Sequence, residues 1–260
     1  MNQLEFRPNF IIIGAQRCGT TSLYKYLTSH PNIAPAARKE VHFFDNHFEK
    51  GLQWYYKYFS SLQNLQEKGC ITGEASPYYI FHPYAFKRIH NLIPKVKLIA
   101  LLRNPIDRAY SHYHHEVRNG FETLSFTEAI AKEEKRLAGE LEKMEKDKDY
   151  FSFNYNHFSY KTRGIYIEQL QRWFKLFSRE QLLIIKSEDL YANPQLVMDK
   201  VLEFLELPKW ELTEYKQFNS SGDYPEMDSN IRQQLHEYFE PYNQRLYDLL
   251  DVNWDWDKER

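Results

Sequence analysis

The stretch Phe10-Ile-Ile-Ile-Gly-Ala-Gln-Arg-Cys-Gly-Thr-Thr-Ser22 decides the fold of this chain. It opens with an apolar run typical of a buried strand, and the residues after Gly19 favour a helix. A strand that leads through a glycine-bounded turn into a helix directs backbone N–H groups and the positive helix end toward one point. We therefore predict an anion-binding loop, in preference to a tight turn in which Thr20 or Thr21 only caps the helix.

The turn has the spacing of a nucleotide-binding P-loop, Gly-x4-Gly-Lys-Ser/Thr, except that Thr20 occupies the lysine position. Because that lysine neutralises charge on the β- and γ-phosphates of ATP or GTP, its absence argues against a kinase. A cation lies inside the loop instead, at Arg17. The residues predicted to bind the phosphate-like group are Arg17, Cys18, Gly19, Thr20, Thr21 and Ser22.

A second pattern, Lys97-Leu-Ile-Ala-Leu-Leu-Arg-Asn-Pro-Ile-Asp-Arg-Ala-Tyr-Ser111, joins an apolar strand to a helix that Asn104 caps. Arg103 ends the strand, and Ser111 lies about two turns into the helix. An arginine fork and a hydroxyl near a helix start bind a dianionic phosphate well. Arg103 alone would be explained equally by an ion pair with Asp107, but the pair, with the first loop present, favours a second phosphate site.

These two patterns carry a resemblance to a known family. Arg17-Cys-Gly-Thr-Thr-Ser-Leu23 is similar to the Lys/Arg-x-Gly-Thr-Thr-x-Leu loop of sulfotransferases that use 3′-phosphoadenosine 5′-phosphosulfate (PAPS). The likeness is to heparan-sulfate-type (carbohydrate) sulfotransferase domains and their bacterial relatives, and it runs from about Phe10 to about Trp256. It implies a P-loop-type parallel β-sheet flanked by helices, with PAPS as co-substrate. The loop would hold the 5′-phosphosulfate, and Arg103 with Ser111 the 3′-phosphate.

Arg38-Lys-Glu-Val-His-Phe-Phe-Asp45 resembles the family's Lys/Asn-Glu-x-His-Phe-Phe motif, whose Glu acts as catalytic base. Glu40 and His42 alternate with Val41, so an extended segment would direct both side chains to one side. We expect Glu40 to be the base, its pKa raised by the neighbouring phenylalanines, with His42 as helper or alternative base. Lys39 is expected to help hold the sulfuryl group. The alternative is an edge strand whose Glu40 and His42 face water.

Arg17 is the cation expected at the leaving group, where negative charge grows as the sulfuryl group departs. Many relatives have lysine at this position. An arginine gives up a proton far less readily, so the sequence favours electrostatic stabilisation by Arg17 over general-acid catalysis.

Three further segments are expected to complete the site. Gly73-Glu-Ala-Ser-Pro-Tyr-Tyr79 resembles the family's Glu-Lys-Thr/Ser-Pro-x-Tyr segment, which lines the acceptor cleft, although Ala75 replaces the usual lysine. Arg163-Gly-Ile-Tyr166 looks like the family's Arg-Ser/Gly-x-Tyr, and residues 219–225 fall where relatives have a basic loop over the phosphosulfate. The resemblance thus implies acceptor contacts by Ser76, Pro77 and Tyr78, nucleotide or acceptor contacts by Arg163 and Tyr166, and phosphosulfate contacts by Ser220, Ser221 and Gly222. Packing is the alternative for Tyr166.

Composition narrows the class of protein. At 260 residues, 42% of them hydrophobic and 17% aromatic, the chain is long enough for one α/β domain, which we predict to span residues 1–260. A net charge of −2 argues against a nucleic-acid or anionic-membrane binder. The sequence shows no bilayer-spanning apolar run, no signal-peptide pattern and no disulfide framework, so we predict a cytoplasmic protein. Its ten histidines show no metal-ligand spacing, so no metal is expected.

Apolar runs and capping signals predict the remaining elements. The predicted strands are Phe10–Ile13, Cys70–Gly73, Lys97–Leu102 and Leu182–Lys186. The predicted helices are Thr20–Ser29, Pro83–Leu92, Pro105–Arg118, Tyr166–Phe177, Pro194–Leu205 and Asn230–Leu250. Residues 131–149 are rich in charges of both signs around Leu137, Leu141 and Met144, which are spaced for one helical face. This segment is either a solvated amphipathic helical insertion or a lid that recognises the acceptor.

Together the patterns predict an enzyme that moves a sulfuryl group from PAPS to a hydroxyl or amine. The acceptor would be a small molecule or a glycan, and a carbohydrate or glycolipid is the first choice because 20 tyrosines and five tryptophans are available to stack on sugars. Two alternatives stay open: a P-loop nucleotide-dependent kinase and a non-catalytic nucleotide-binding protein of the same fold. The joint presence of Arg17, Glu40, Arg103 and Ser111 argues against the second.

Overall fold

The computed structural model describes residues 7–59, 65, 67–216, 218 and 224–256. Its strands are β1 (Phe10–Gly14), β2 (Ile33–Pro35), β3 (Ile71–Ala75), β4 (Lys97–Leu102) and β5 (Leu182–Lys186). Its helices are α1 (Thr20–Leu27), α2 (Phe43–Asn46), α3 (Gly51–Tyr56), α4 (Ala85–Leu92), α5 (Pro105–Arg118), α6 (Phe126–Leu137), α7 (Glu140–Lys146), α8 (Phe153–His157), α9 (Tyr166–Phe174), α10 (Ser187–Ala192), α11 (Pro194–Phe204) and α12 (Ser229–Leu250). Short 3-10 turns lie at Phe48–Lys50, Thr162–Gly164 and Arg179–Gln181.

The strands form one parallel sheet in the order β2-β3-β1-β4-β5. The central strand β1 is buried along its whole length, with Ile12 opposite Ala75 of β3 on one side and Ile99 of β4 on the other. The Phe10 ring packs over Gly73, where an added Cβ would lie 2.6 Å from the ring carbons. Buried apolar strands joined by helical crossovers confirm the predicted α/β fold with a parallel sheet.

The strand predictions succeed where the apolar run is long. Lys97–Leu102 and Leu182–Lys186 are confirmed residue for residue, and β1 extends the predicted run by Gly14. The weaker strand predicted at Cys70–Gly73 is β3, displaced by one to two residues. The edge strand β2 has no predicted counterpart, because it is only three residues long and ends in Pro35, a residue that a sheet tolerates at its edge.

The longer helices lie where their capping signals predict them. Helix α5 coincides with the predicted Pro105–Arg118, and the Asn104 side chain accepts a hydrogen bond from the Ile106 N–H at 3.0 Å. Helices α1, α4, α9, α11 and α12 differ from their predicted ranges by one to three residues at an end. The short helices α2, α3, α8 and α10 have no predicted counterpart, because four to six residues are too few to show a helical period.

The charged segment 131–149 is not one continuous helix. Helix α6 ends at Leu137 and α7 begins at Glu140, with Gly139 between them at φ +77. Within α7 itself, Met144 is 3% exposed whereas Leu141 is 46% exposed, so the two side chains do not share one buried face. The single apolar face expected across this segment is therefore wrong.

Contacts divide the chain into two compact units. The first consists of the described residues of Met1–Leu102 and Trp173–Asn219, and the second of those of Arg103–Arg172 and Ser220–Arg260. The first unit contains the whole sheet. In the second, the buried Glu133 of α6 accepts N–H bonds from Lys161 and Thr162 at 2.7 and 2.8 Å, so α6 is not a fully solvated helix. The single domain expected over residues 1–260 stays a prediction.

Candidate active site

The loop predicted to bind an anion connects β1 to α1. Gly19 precedes the first turn of α1 at φ +86, and no side chain caps the helix. A Cβ at Gly19 would lie 2.8 Å from the Tyr191 hydroxyl and 3.3 Å from Cδ2 of the buried Leu190, so both the backbone conformation and the space favour glycine. Thr20 and Thr21 lie inside the first turn of α1, so neither is the N-cap residue that the alternative supposed, and anion binding by the loop stays a prediction. The first turn of a helix leaves its N–H groups without intrahelical acceptors, which is the arrangement that binds an anion.

Buried contacts support this loop from the protein interior. Cys18 is fully buried, and its carbonyl accepts a hydrogen bond at 2.9 Å from the hydroxyl of Ser187, the first residue of α10. Ser22 is also fully buried, and its Oγ accepts the Phe218 N–H at 3.0 Å. The predicted cofactor contact of Ser22 is therefore left to its backbone, because its hydroxyl holds another part of the chain. Arg17 is half-buried, at φ 69.

The segment that carries Glu40 meets the same end of the sheet. It is a loop and not the edge strand considered above, because Glu40 and His42 adopt φ 60 and φ 55. The Glu40 N–H donates to the carbonyl of Ala75, the last residue of β3, at 3.1 Å. The Ser76 N–H donates to the Ile12 carbonyl of β1, also at 3.1 Å. Because β1 and β3 are adjacent parallel strands, their carboxyl ends bring the loop and this segment to one edge.

Glu40 and His42 belong to a chain of charged contacts. The Lys39 ammonium pairs with Glu40 Oε1, and His42 Nε2 lies 3.4 Å from Glu40 Oε2. On its other side, His42 Nδ1 lies 2.7 Å from Asp45 Oδ2. The Asp45 side chain is fully buried, whereas the Glu40 side chain is 40% exposed. His42 therefore bridges an inner carboxylate and an outer one.

These contacts reverse the pKa shift expected for Glu40. Burial would raise the pKa of Glu40, but the hydrogen bond from His42 and the charge of Lys39 lower it to about 2. Burial would likewise lower the pKa of His42, but the charge and hydrogen bond of Asp45, together with Glu40, raise it to about 10. The prediction of a raised pKa for Glu40 is wrong, because the two cations outweigh the desolvation that neighbouring aromatic rings cause.

The segment 76–78 is buried next to the segment that carries Glu40. Ser76 is fully buried, and its Oγ donates to Glu74 Oε2 at 2.7 Å and accepts the His42 N–H at 3.2 Å. Pro77 and Tyr78 are buried as well. The hydroxyl of Ser76 is thus engaged within the protein, and the acceptor contacts of Ser76, Pro77 and Tyr78 stay predictions.

In the second unit, two predicted contact residues turn inward. Tyr166 is 1% exposed, and its hydroxyl donates to the Arg103 carbonyl at 3.0 Å. Arg163 is also 1% exposed, and its Nη2 donates to the carbonyls of Tyr155 and Asn156 at 3.1 and 2.7 Å. Both side chains are held by internal hydrogen bonds, which favours the packing alternative for Tyr166, and the nucleotide or acceptor contacts of the two residues stay predictions.

The remaining predicted contacts are those to the 3′-phosphate and those of residues 220–222. Arg103 is half-buried directly after β4, and Ser111 is fully buried within α5. Their assignment to a 3′-phosphate stays a prediction. Ser220, Ser221 and Gly222 lie outside the residues that the structure describes.

Sequence reasoning missed the residues that hold the site together. Asp45 carries a local signal, since it follows His42 by three residues at the start of a short helix. Glu74 carries another, because a carboxylate inside a buried strand needs a special reason. Tyr79 and Ser187 carry none, since a tyrosine and a serine are ordinary residues whose contacts appear only in the folded chain.

The parallel sheet and its glycine-bounded loop place the chain among P-loop-type α/β proteins. A family model described as "Sulfotransferase domain" matches residues 7–245, and the chain belongs to this family. Among its relatives, membrane-associated sulfotransferase kil1 of Dictyostelium discoideum is 29% identical over 96% of this chain and 66% of its own length. Human bifunctional heparan sulfate N-deacetylase/N-sulfotransferase 3 is 32% identical over 94% of this chain. The chain spans only 30% of that larger protein.

Solved structures agree with the family assignment. The crystal structure of a sulfotransferase from Alicyclobacillus acidocaldarius is 31% identical in sequence, with a TM-score of 0.75 over 97% of this chain and 99% of that one. A sulfotransferase domain from the curacin biosynthetic pathway shares the fold at 15% identity, with a TM-score of 0.53. Over the described ranges of this chain, no helix is both long enough and apolar enough to cross a membrane. Over the same ranges no group of three or more His, Cys, Asp or Glu is placed to hold a metal ion.

Proposed function

We propose that this chain is a PAPS-dependent sulfotransferase that transfers a sulfuryl group to a hydroxyl or amine of a carbohydrate acceptor. The observation that supports it best is the meeting of the Arg17 loop and the Glu40 segment at the carboxyl ends of β1 and β3. Sulfuryl transfer needs a holder for an anionic donor and a nearby proton acceptor. The family model and Thr20 in the lysine position both favour this function over that of a kinase.

In this proposal the residues of the chain divide the reaction between them. The oxygen or nitrogen of the acceptor forms a bond to sulfur while the bond between sulfur and the phosphate oxygen of the donor breaks. Glu40 accepts the proton that the acceptor loses. Arg17 and the N–H groups at the start of α1 stabilise the negative charge that grows on the departing phosphate oxygen. Arg103 and Ser111 bind the 3′-phosphate, as the sequence resemblance implies.

In this proposal the pKa of Glu40 changes during the reaction, because it depends on whether Lys39 is paired with the carboxylate. In the resting protein the Lys39 ammonium pairs with Glu40 and contributes to its lowered pKa. When a negatively charged sulfuryl group enters the site, it draws the Lys39 ammonium away from the carboxylate. The pKa of Glu40 then rises toward its ordinary value, and the carboxylate becomes a stronger base when the acceptor proton must be removed.

The carbohydrate class of the acceptor is inferred from a relative. The human relative is named for heparan sulfate, a carbohydrate, and we carry that class over to this chain. The transferred group would go to a hydroxyl or an amine, with no nucleic acid as partner. The cytoplasmic location expected from the sequence also stays a proposal, which cell fractionation of the native protein tests.

Ligand-dependent thermal unfolding tests the nucleotide assignment. Because a ligand that binds only the folded state stabilises it, 3′,5′-bisphosphoadenosine at 100 times its Kd should add about 2.7 kcal/mol and raise Tm. ATP lacks the 3′-phosphate and should raise Tm far less at the same concentration. The double variant Arg103→Ala, Ser111→Ala should lose this preference while keeping the response to the shared 5′-phosphate. Equal shifts with both nucleotides, or a magnesium requirement, would favour the kinase.

Transfer from labelled PAPS tests the reaction itself. A panel of glycans that offer free hydroxyls or free amines, with small phenols beside them, should yield labelled glycan product. Label found only on the phenols would contradict the carbohydrate acceptor while keeping the sulfotransferase activity. Bisphosphoadenosine binding without transfer to any acceptor would favour the non-catalytic nucleotide-binding alternative.

A further inference from the structure

The backbone that carries Glu40 and His42 is held in an unfavourable conformation. Both residues lie in the left-handed region, at φ 60 and φ 55, where a side chain with a Cβ is strained. Such conformations persist only where the surrounding structure imposes them. In this segment the conformation is held by hydrogen bonds that the backbone N–H groups of residues 42–44 donate to side chains of the turn after β3.

Two hydroxyl groups bind these N–H groups. The His42 N–H donates to Ser76 Oγ at 3.2 Å, and the Phe43 N–H donates to Tyr79 Oη at 2.9 Å. The Phe44 N–H also reaches Tyr79 Oη, at 3.4 Å. The residue that precedes α2, His42, provides no side-chain cap. The phenol of Tyr79 therefore takes the place of a capping side chain at this helix start.

Both hydroxyls donate onward to one buried carboxylate. Ser76 Oγ donates to Glu74 Oε2 at 2.7 Å, and Tyr79 Oη donates to Glu74 Oε1 at 3.1 Å. Glu74 is fully buried in β3. Burial raises the pKa of Glu74, while the hydrogen bonds from Ser76 and two tyrosines oppose that rise. A hydroxyl that donates its proton to a carboxylate has its oxygen lone pairs available as acceptors. In Ser76 and in Tyr79 these lone pairs accept hydrogen bonds from N–H groups of the segment.

We propose that Glu74 is a positioning residue for the segment that carries Glu40. It acts through Ser76 and Tyr79, whose hydroxyls accept the segment's N–H groups while their own protons are directed to Glu74. Glu74 itself is fully buried, and the contacts that place it are those with Ser76, Tyr79 and Tyr55. The catalytic consequence rests on the proposed function, because Glu40 is the base only in that function.

Two buried tyrosines on the same carboxylate oxygen provide a matched test. Tyr55 and Tyr79 are fully buried, and each donates one hydrogen bond to Glu74 Oε1, at 2.9 and 3.1 Å. Tyr79 also accepts N–H bonds from the segment, whereas Tyr55 offers its ring, stacked 4.6 Å from that of Phe43, which a phenylalanine preserves. Tyr79→Phe thus removes the link to the segment, and Tyr55→Phe removes a comparable bond without that link.

We expect Tyr79→Phe to lower kcat by about 10- to 100-fold, because a small displacement of a reacting group costs this much. The Kd for 3′,5′-bisphosphoadenosine should stay unchanged. The pKa of His42, followed by NMR titration of its imidazole, should fall from its raised value toward 6.5 as its carboxylate contacts loosen. Tyr55→Phe should keep the kcat and the His42 pKa of the parent, although both variants lose some thermal stability. Ser76→Ala should behave as Tyr79→Phe does, because it removes the other N–H acceptor.

Equal losses of kcat in the two phenylalanine variants would overturn the positioning role and leave Glu74 a contribution to stability alone. An unchanged His42 pKa in Tyr79→Phe would overturn it as well. If Tyr79→Phe fails to fold, Ser76→Ala decides the question by the same two measurements. A parent protein without sulfuryl transfer would contradict the proposed function only, because the His42 titration reports the geometry of the segment without turnover.

Discussion

At the scale of single residues, the charges around Glu40 and His42 set the pKa values of both groups and, through them, the pH dependence of the stability of the fold. The pKa of Glu40 is lowered to about 2, so its contacts stabilise the fold above the unfolded value of 4.5 and are lost as pH falls through about 2. The pKa of His42 is raised to about 10, so its contribution is complete below 6.5 and is lost as pH rises through about 10. Both contributions are therefore present at neutral pH.

Replacement of the Glu40 carboxylate by an amide tests the base. Glu40→Gln keeps the shape of the side chain, so bisphosphoadenosine binding should persist while turnover falls by about 10²- to 10⁴-fold. Because the pKa of Glu40 in the free protein is about 2, kcat/KM of the parent should show no loss from this group between neutral pH and its unfolded value of 4.5. Determination of kcat/KM over that pH range, with His42→Ala as the comparison, provides the measurement.

His42→Ala should cost less turnover than Glu40→Gln if His42 only orients the acceptor and the carboxylate. The reverse order would transfer the base role to His42. An acid limb near neutral pH that disappears in Glu40→Gln would contradict the lowered pKa. Parental turnover in both variants would make this segment structural.

At the scale of elements, the turn between β1 and α1 depends on one backbone conformation. Gly19 and Gly139 each precede the first turn of a helix in the left-handed region, at φ +86 and φ +77. They differ in their surroundings. A Cβ at Gly19 would meet the Tyr191 hydroxyl at 2.8 Å, whereas a Cβ at Gly139 would meet no atom within 4 Å. The two glycines therefore form a matched pair for separating backbone strain from loop function.

Gly139→Ala should destabilise the protein by about 1 kcal/mol through backbone strain alone. Gly19→Ala should cost more, because its Cβ would also meet the Tyr191 hydroxyl at 2.8 Å and Cδ2 of the buried Leu190 at 3.3 Å, and the backbone shift that relieves these contacts should weaken bisphosphoadenosine binding at the start of α1. Urea denaturation and isothermal titration of both variants give the two quantities. Retained binding in Gly19→Ala, at the level of Gly139→Ala, would contradict the assignment of the loop to the 5′-phosphosulfate.

At the scale of the whole molecule, buried carboxylates make stability depend on pH. In the second unit Glu116 is 2% exposed, with His157 Nδ1 2.8 Å and His112 Nε2 3.2 Å from its oxygens. Burial would raise the pKa of Glu116, but the contacts with the two histidines lower it to about 2. Its stabilising contribution is therefore present above 4.5 and is lost as pH falls through about 2.

Glu116→Gln should remove this part of the acid sensitivity. As pH falls from about 5 to about 2, the free energy of unfolding of the parent should drop, relative to that of the variant, by on the order of 3 kcal/mol. The physical reason is that only the parent must protonate a carboxylate whose charged form the folded state prefers. Urea denaturation at several pH values measures both curves, and parallel curves would show that the charge of Glu116 contributes nothing.

For the candidate site, as for the fold, local sequence patterns predicted the elements but not the surroundings of individual side chains. The spacing in Phe10–Ser22 was enough to predict the strand, the loop and the helix, because the conformation of each depends on neighbouring residues. The resemblance to the family's Glu-x-His-Phe-Phe motif also singled out Glu40 and His42, which the folded chain brings into contact. What these patterns could not supply was the environment of any single side chain.

The sequence by itself determined the parallel α/β sheet, the glycine-bounded loop and the family, since apolar runs, glycines and motif spacing are local properties. The tertiary structure alone decided that the pKa of Glu40 is lowered, that Ser76 and Arg163 face inward, and that Glu74 supports the segment from behind. The physical reason is that burial, hydrogen-bond partners and nearby charges come from residues distant in sequence. Those residues become neighbours only when the chain has folded.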